Sequence, residues 1–344
     1  MLDPRDLAPD TFLEAARALD VDAGPARRLA SAVVGRGDFD PSSWARSGQL
    51  PRRLRDAADG LPRLALEFAV ASPVDGFRKL RFRTADGLPI ETVIIPLHKP
   101  GAATICLSSQ VGCVMGCTFC ATARMPIRRN LQTWEIVDQF IRARDLARSE
   151  GRRVTGAVFM GMGEPFLNYD RVLAAAEILR SPFGGSIAAP AISISTVGLV
   201  PEIDRFTAER RRFRLAISLG AATDAKRARL VPVAARTPVI DLMAAARRHA
   251  LARRDRVTLA YVCIRGENVA PDDAQALGAL IGDTPVRLDL IDVTDPTGRY
   301  FAPTDEEMQR FRDALTEHVG QPVVRRYSGG ADIQAACGTL AGAG

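Results

Sequence analysis

The chain has 344 residues, 47% apolar and 25% charged, which is long enough for a main domain with an appendage and excludes a disordered or fibrous protein. A net charge of +6 and a pI near 9.3 lean towards an anionic partner such as RNA. Six cysteines, three of them within eight residues, indicate metal chemistry in a reducing compartment and exclude a secreted disulfide scaffold; with no leader-like start and no apolar run of bilayer length, a cytoplasmic protein without a membrane partner is expected.

Residues 1–60 read as a small helical accessory unit. Thr11-x-x-Glu14 is a capping box that opens a helix over Phe12 to Leu19, Pro25 suits the first turn of a second helix, and Gly35 and Gly37 close it. The composition changes near Pro62. Leu64 to Val70, Phe77 to Thr84 and Ile90 to Ile95 then look like strands, the last two joined by an Asp86-Gly87 turn, so 61–100 is a short β extension. From residue 101 onward, strands are expected at Thr104 to Leu107, Val154 to Met160, Ala191 to Ser195, Phe213 to Leu219, Val257 to Ile264 and Val286 to Val293. Between and after them lie helical patterns at Trp134 to Ala147, Tyr169 to Leu179, Val239 to Ala252, Asp272 to Ile281 and, behind a Thr304-x-x-Glu307 capping box, Asp305 to His318. Six such units over 101–344 predict an α/β fold, a partial (β/α)6 TIM-like barrel with its function on the loops after the strand C-termini. The Ala-Gly tail after Cys337 reads as mobile.

The first barrel strand runs into Cys113-Val-Met-Gly-Cys117-Thr-Phe-Cys120. C-x3-C-x2-C supplies three thiolates, whereas structural zinc takes four protein ligands and a cubane normally takes a thiolate on each of four irons. A zinc loop would need a distant fourth ligand, and none of His98, His249 and His318 has a Cys or His partner at zinc-ligand spacing. The spacing resembles the radical S-adenosylmethionine (SAM) superfamily, which implies a [4Fe-4S] cluster with one iron open to SAM. The next strand ends in Gly161-Met162-Gly163-Glu164-Pro165, where glycine lets backbone approach a ligand and Glu164 offers a carboxylate to an ammonium group.

The resemblance narrows with Cys106-Leu-Ser-Ser-Gln-Val-Gly-Cys113, Arg129-Asn130-Leu131, Ser195-Thr196-Val197-Gly198, Leu215 to Leu219, Leu230-Val231-Pro232 and Asp332-Ile333-x-Ala335-Ala336-Cys337-Gly338. In this order, from about Glu91 to Leu340, they resemble the RlmN/Cfr family of radical SAM methyltransferases. The resemblance implies methylation of an adenine ring carbon, C2 or C8, in ribosomal or transfer RNA, with two SAM molecules per turnover. It makes Cys113, Cys117 and Cys120 the cluster ligands and places SAM at Gly163, Glu164, Ser195 and Ser218. Cys337 becomes the thiol that first receives a methyl group, Cys106 the partner that releases the base by closing a disulfide, and Glu91 the proton acceptor. It also implies an electron donor such as flavodoxin or ferredoxin, and nothing demands more than a monomer. Read alone, Cys106 and Cys263 are small core residues, and Glu91 is a solvated carboxylate at a strand start.

Several positions depart from the family pattern. Gly220 stands where His is usual and Ala260 where Glu is usual; a SAM-contacting Asn is replaced by Thr294 or Asp295; and Tyr327 to Ala331 replaces an Arg-Gly pair with one residue more. These changes surround the pocket and spare the cysteines, so a divergent target is expected. Two alternatives remain at this level, methylation of a non-RNA aromatic carbon and a non-catalytic RNA-binding protein with a structural cluster. Lys79, Arg81 and Arg83 on one strand, and Arg210, Arg211, Arg212 and Arg214, are candidate phosphate-binding groups.

Overall fold

The computed structural model describes residues 1–46, 48–126 and 129–341. Among the described residues there are twelve strands: β1 (Ala65–Ala71), β2 (Arg78–Arg83), β3 (Pro89–Pro96), β4 (Ala102–Cys106), β5 (Gln110–Val111), β6 (Arg129–Asn130), β7 (Arg153–Phe159), β8 (Ile192–Thr196), β9 (Arg214–Ser218), β10 (Val257–Cys263), β11 (Val286–Asp292) and β12 (Val323–Arg326). Ten of them form one sheet in the order β1-β2-β3-β4-β7-β8-β9-β10-β11-β12, and β5 pairs with β6. From β4 to β12 the pairing is parallel. The β1–β3 meander is antiparallel and joins the same sheet, because Val93 of β3 lies opposite Cys106 of β4.

The expected barrel strands all form, but the parallel run has seven members. The additional one is β12, a four-residue, half-exposed edge strand with no apolar run to predict it. Helices at Val200–Ala208 and Asp224–Leu230 were also missed, each too short to show a clear period. The five expected helices of the barrel lie within a few residues of their predicted limits, and the Thr304–Glu307 capping box closes reciprocally at 3.1 and 2.7 Å.

The sheet stays open, with β1 and β12 as its edges. Its two ends nevertheless meet: Tyr327, just after β12, donates its hydroxyl to Asp75 Oδ2 between β1 and β2 at 2.8 Å, and Gly330 N–H donates to the same oxygen at 2.8 Å. The open side of the partial barrel is thus bridged by the chain that follows β12.

At the N-terminus the first helix spans Pro9–Arg17 with no side-chain cap, so the Thr11 capping box does not form. Pro9 is preset for the first helical position and needs no amide partner, and helix growth from there leaves Thr11 inside the first turn. Gly37 ends the second helical stretch at φ +72, while Gly35 lies inside its π-helical last turn. These helices share the sheet's hydrophobic core. They are also tied to helix Thr133–Ser149 through the fully buried Arg5, which pairs with Asp3 at 2.7 Å and Asp138 at 3.1 Å. Among the described residues, no helix is long and apolar enough to cross a membrane.

The basic strand face is not free for phosphate. Lys79 is buried against Glu91, and Arg81 and Arg83 both pair with Glu67 on β1. Arg211 is held by Glu209 and Glu177, and Arg214 starts β9 at the end remote from Ser218.

Candidate active site

A cavity of about 150 Å³ opens at the C-terminal ends of the strands and is lined by Cys113, Cys117, Cys120, Gly163, Glu164, Ser195 and Ser218. Sequence separations of up to 105 residues collapse here because a parallel sheet delivers every strand end to one rim. Of the expected SAM-contacting residues, Thr294 is missing from this wall; Asp292 and Val293 line it instead. Asp295 is engaged elsewhere, accepting from Thr297 N–H at 3.0 Å and Tyr300 N–H at 3.2 Å and pairing with Arg124 at 3.7 Å. Gly220 and Ala260, two of the departures from the family pattern, both face the cavity.

The cysteine loop is pinned from three directions. Thr118 N–H donates to Leu230 carbonyl at 2.9 Å, Tyr300 hydroxyl donates to Thr118 Oγ1 at 2.9 Å, and Ala121 N–H donates to Gly338 carbonyl at 2.7 Å. Burial pushes the Cys113 thiol up to about 12 and raises that of Cys117, where Cys120 and Cys113 add like-charge repulsion. Such thiols need a bound cation to exist as thiolates. No three Cys, His, Asp or Glu side chains among the described residues are grouped about a single ion position. Three thiols spread round a cavity fit a cubane, which gives each thiolate its own iron.

Behind the cavity, the GMGEP turn is stitched to the segment after β4. Met162 N–H donates to Ser108 Oγ at 2.9 Å, Met162 carbonyl accepts from Ser109 and Gln110 N–H, and Gln110 Oε1 accepts from Glu164 N–H at 2.8 Å. Gly163 sits at φ +99, and a Cβ there would stand 2.5 Å from Gln110 Cβ, so only glycine lets the two loops touch. Buried Gln139 locks Ser108 in place through both its backbone groups, a role with no signal in a helix sequence. Arg227, also overlooked, is almost fully buried and donates to the carbonyls of Leu219 and Val197 beside the cavity.

Glu164 is 2% exposed and accepts from Phe166 N–H at 3.0 Å and Val197 N–H at 2.9 Å. Burial outweighs these bonds and raises its carboxyl from 4.5 to about 7. No cation pairs with it among the described residues, so a ligand ammonium would restore the carboxylate. SAM affinity is therefore expected to fall roughly tenfold per pH unit below about 7, where binding must expel a proton. Above that value it should level off. Calorimetry of SAM binding across pH tests this, and a flat profile or an unaltered slope in Glu164→Gln would sink it. The ligand-free fold carries the opposite sign, losing stability as pH rises from 4.5 to about 7, because the native carboxyl holds its proton more tightly than the unfolded one.

A second, larger cavity of about 790 Å³ occupies the open side of the sheet and is lined by Cys106, His98, Arg326 and Tyr327 among others. Cys120, Thr122, Met160, Gly161, Cys337 and Gly338 line both cavities. Cys337 therefore stands at their junction. It is exposed, and its N–H donates to Ser328 Oγ at 3.0 Å; Cys106 is buried, which pushes its thiol up to about 12, with Cys337 adding to the shift. All six cysteines are free thiols, so the expected disulfide is not formed here. Cys263 is core, as expected.

The tail after Cys337 is docked as far as Ala341, contrary to expectation, while 342–344 lie outside the described residues. Leu340 is buried, its carbonyl accepts from Thr122 Oγ1, and Ala341 N–H donates to Glu91 Oε2 at 3.1 Å. Glu91 is completely buried beneath this tail and lines neither cavity. Its Oε1 lies 3.6 Å from Lys79 Nζ and has no hydrogen-bond partner among the described residues. Glu91 is neither the solvated carboxylate its strand position suggested nor open to a substrate while the tail is docked.

The pattern of the radical SAM superfamily matches residues 107–276. A crystal structure of a radical SAM methyltransferase from Sphaerobacter thermophilus is 38% identical and superposes with a TM-score of 0.90, covering 98% of this chain and 99% of that one. Anaeromyxobacter sp. (strain Fw109-5) has a "dual-specificity RNA methyltransferase RlmN" that is 41% identical over 303 residues, 86% of this chain and 79% of that protein. The chain belongs to the RlmN/Cfr family. It is a radical SAM methyltransferase whose cofactors are one [4Fe-4S] cluster and SAM, two molecules per turnover. The same Anaeromyxobacter strain also has a "probable RNA methyltransferase", 47% identical over 328 residues, 94% of this chain and 95% of that protein.

Proposed function

We propose that the protein methylates an adenine ring carbon, C2 or C8, in ribosomal or transfer RNA through a methyl group carried on Cys337. The observation that carries this reading is the place of Cys337, which lies outside the cysteine triad and lines both the triad's small cavity and the large open cavity beside Cys106. An amidine carbon is not nucleophilic, so direct transfer from SAM cannot reach it. Cys113, Cys117 and Cys120 would hold the cluster, which supplies the electron that cleaves SAM.

The chain's own residues do the rest. Gly163, Glu164, Ser195 and Ser218 hold SAM against the cysteine loop, with Glu164 facing its ammonium group. The docked tail holds Cys337 between cofactor and substrate. Cys106 is the second thiol of the large cavity and would bond to Cys337 to free the product. Glu91 accepts the ring proton once the tail has moved off it. A cytoplasmic monomer served by a small electron donor such as flavodoxin or ferredoxin completes the reading.

The target is proposed to differ from that of the RlmN proteins. Two relatives from the same Anaeromyxobacter strain carry different names, and this chain is more similar to the one without the RlmN name. Gly220 and Ala260 empty the cavity wall where the family has larger side chains.

The test is mass spectrometry of the cluster-loaded protein after incubation with SAM. One added methyl group is expected on Cys337 and on no other cysteine. A protein that never acquires it refutes the mechanism.

A further inference from the structure

The end of β12 forms one wall of the large cavity. Three arginines line this cavity on β11 and β12, and two are neutralised: Arg325 pairs with Asp292 at 2.8 Å and Arg287 with Asp289 at 2.7 Å. Arg326 has no carboxylate within ion-pairing distance among the described residues. Its Nη1 lies 3.7 Å from Met160 Sδ, at the boundary of the two cavities. A half-buried guanidinium packed on a thioether is a cation awaiting an anion.

The next residue, Tyr327, is an exposed aromatic in a fixed pose. Tyr327 is 64% exposed, yet its hydroxyl is anchored on Asp75 at 2.8 Å and its ring meets Phe77 at 75° with centroids 6.3 Å apart. An isolated surface tyrosine would turn freely. A ring clamped at its tip and along its body, with area left bare, is a ready surface for a flat ligand.

We propose that Arg326 and Tyr327 form the nucleotide-recognition element of this enzyme: Arg326 takes a phosphate of the target strand, and a base of the same RNA stacks on Tyr327. The inference rests on the RNA reading above and extends it to named residues. Unpaired RNA bases are recognised by stacking on aromatic rings, and their phosphates by arginine. A cavity of about 790 Å³ has room for an extruded nucleotide beside Cys337. Tyr327 also opens the five-residue stretch in which this chain departs from the family pattern, so target choice is a difference this wall can make.

The test is binding of a labelled RNA hairpin with an adenine in its loop, followed by fluorescence anisotropy over a salt series. Y327A is expected to bind about ten times more weakly or worse, and Y327F to retain most of the affinity. R326Q should weaken binding and lower the slope of log affinity against log salt by about 0.7, the contribution of one contact to single-stranded phosphate, while R326K keeps the slope. Wild-type binding with unchanged affinity and slope in Y327A and R326Q overturns the proposal alone. Lost methylation in R326Q with unaltered RNA affinity also overturns it, and would tie Arg326 to the Cys106 thiol instead. A wild-type protein that binds no such RNA overturns the RNA reading and this proposal with it.

Discussion

Replacing Cys337 by alanine is expected to reduce methyl transfer to background while leaving the protein folded. The side chain is exposed, and what holds its segment is backbone: Cys337 N–H on Ser328, Gly338 carbonyl on Ala121 and Ala341 N–H on Glu91. A surface substitution that breaks none of these should change stability by no more than about 0.5 kcal/mol. The chemistry has no such tolerance. If the methyl group must rest on that sulfur, no neighbouring residue can take its place, and the loss should be on the order of 10⁴-fold or more, as when other covalent nucleophiles are removed. Thermal melting together with transfer of labelled methyl from SAM into RNA checks both halves. Product formed by Cys337→Ala at even a tenth of the wild-type rate would show that the methyl group travels another way.

Cys106→Ala should fail differently. In the proposed mechanism the base is joined to the enzyme as a thioether through a methylene on the Cys337 sulfur; release would require the Cys106 thiolate to bond to that sulfur as the sulfur–methylene bond breaks, the freed carbon taking up a proton to become the product methyl. Without Cys106 the adduct forms and stays. A covalent protein–RNA complex is expected on a denaturing gel, with at most about one RNA per enzyme, and nuclease should trim it to a modified Cys337 peptide. Burial holds the Cys106 thiol at about 12, so release by the intact enzyme should quicken as pH rises through the neutral range, because the thiolate is the attacking form. Cys106→Ala that turns over repeatedly would remove Cys106 from the release step.

Much of this molecule was legible before its structure. Apolar runs marked six of the seven parallel strands, because a buried strand needs a continuous apolar segment; β12, half exposed at the edge, carried none. The cysteine triad and the GMGEP turn were legible for a related reason: ligands within one loop are placed by local spacing. The reading failed where a residue's meaning depends on what lies across the fold. Lys79 looked like a phosphate contact until β3 set Glu91 against it, and Thr294 stands just past the cavity that Asp292 and Val293 reach. Gln139 and Arg227 left no trace in the sequence, since a buried polar side chain in a helix looks like a surface one until its partners are known.

The sequence by itself therefore determined the kind of chemistry, through three thiols at fixed short spacing and a glycine turn that follows a strand. Tertiary structure alone decided how that chemistry is aimed. It set Cys337 where two cavities meet, folded the tail down over Glu91, and brought Arg326 and Tyr327 from the last strand to face Cys106 across a sheet that does not close. Local spacing survives in any fold, whereas contacts between residues more than 200 positions apart exist only once the sheet has curled and its two ends have met.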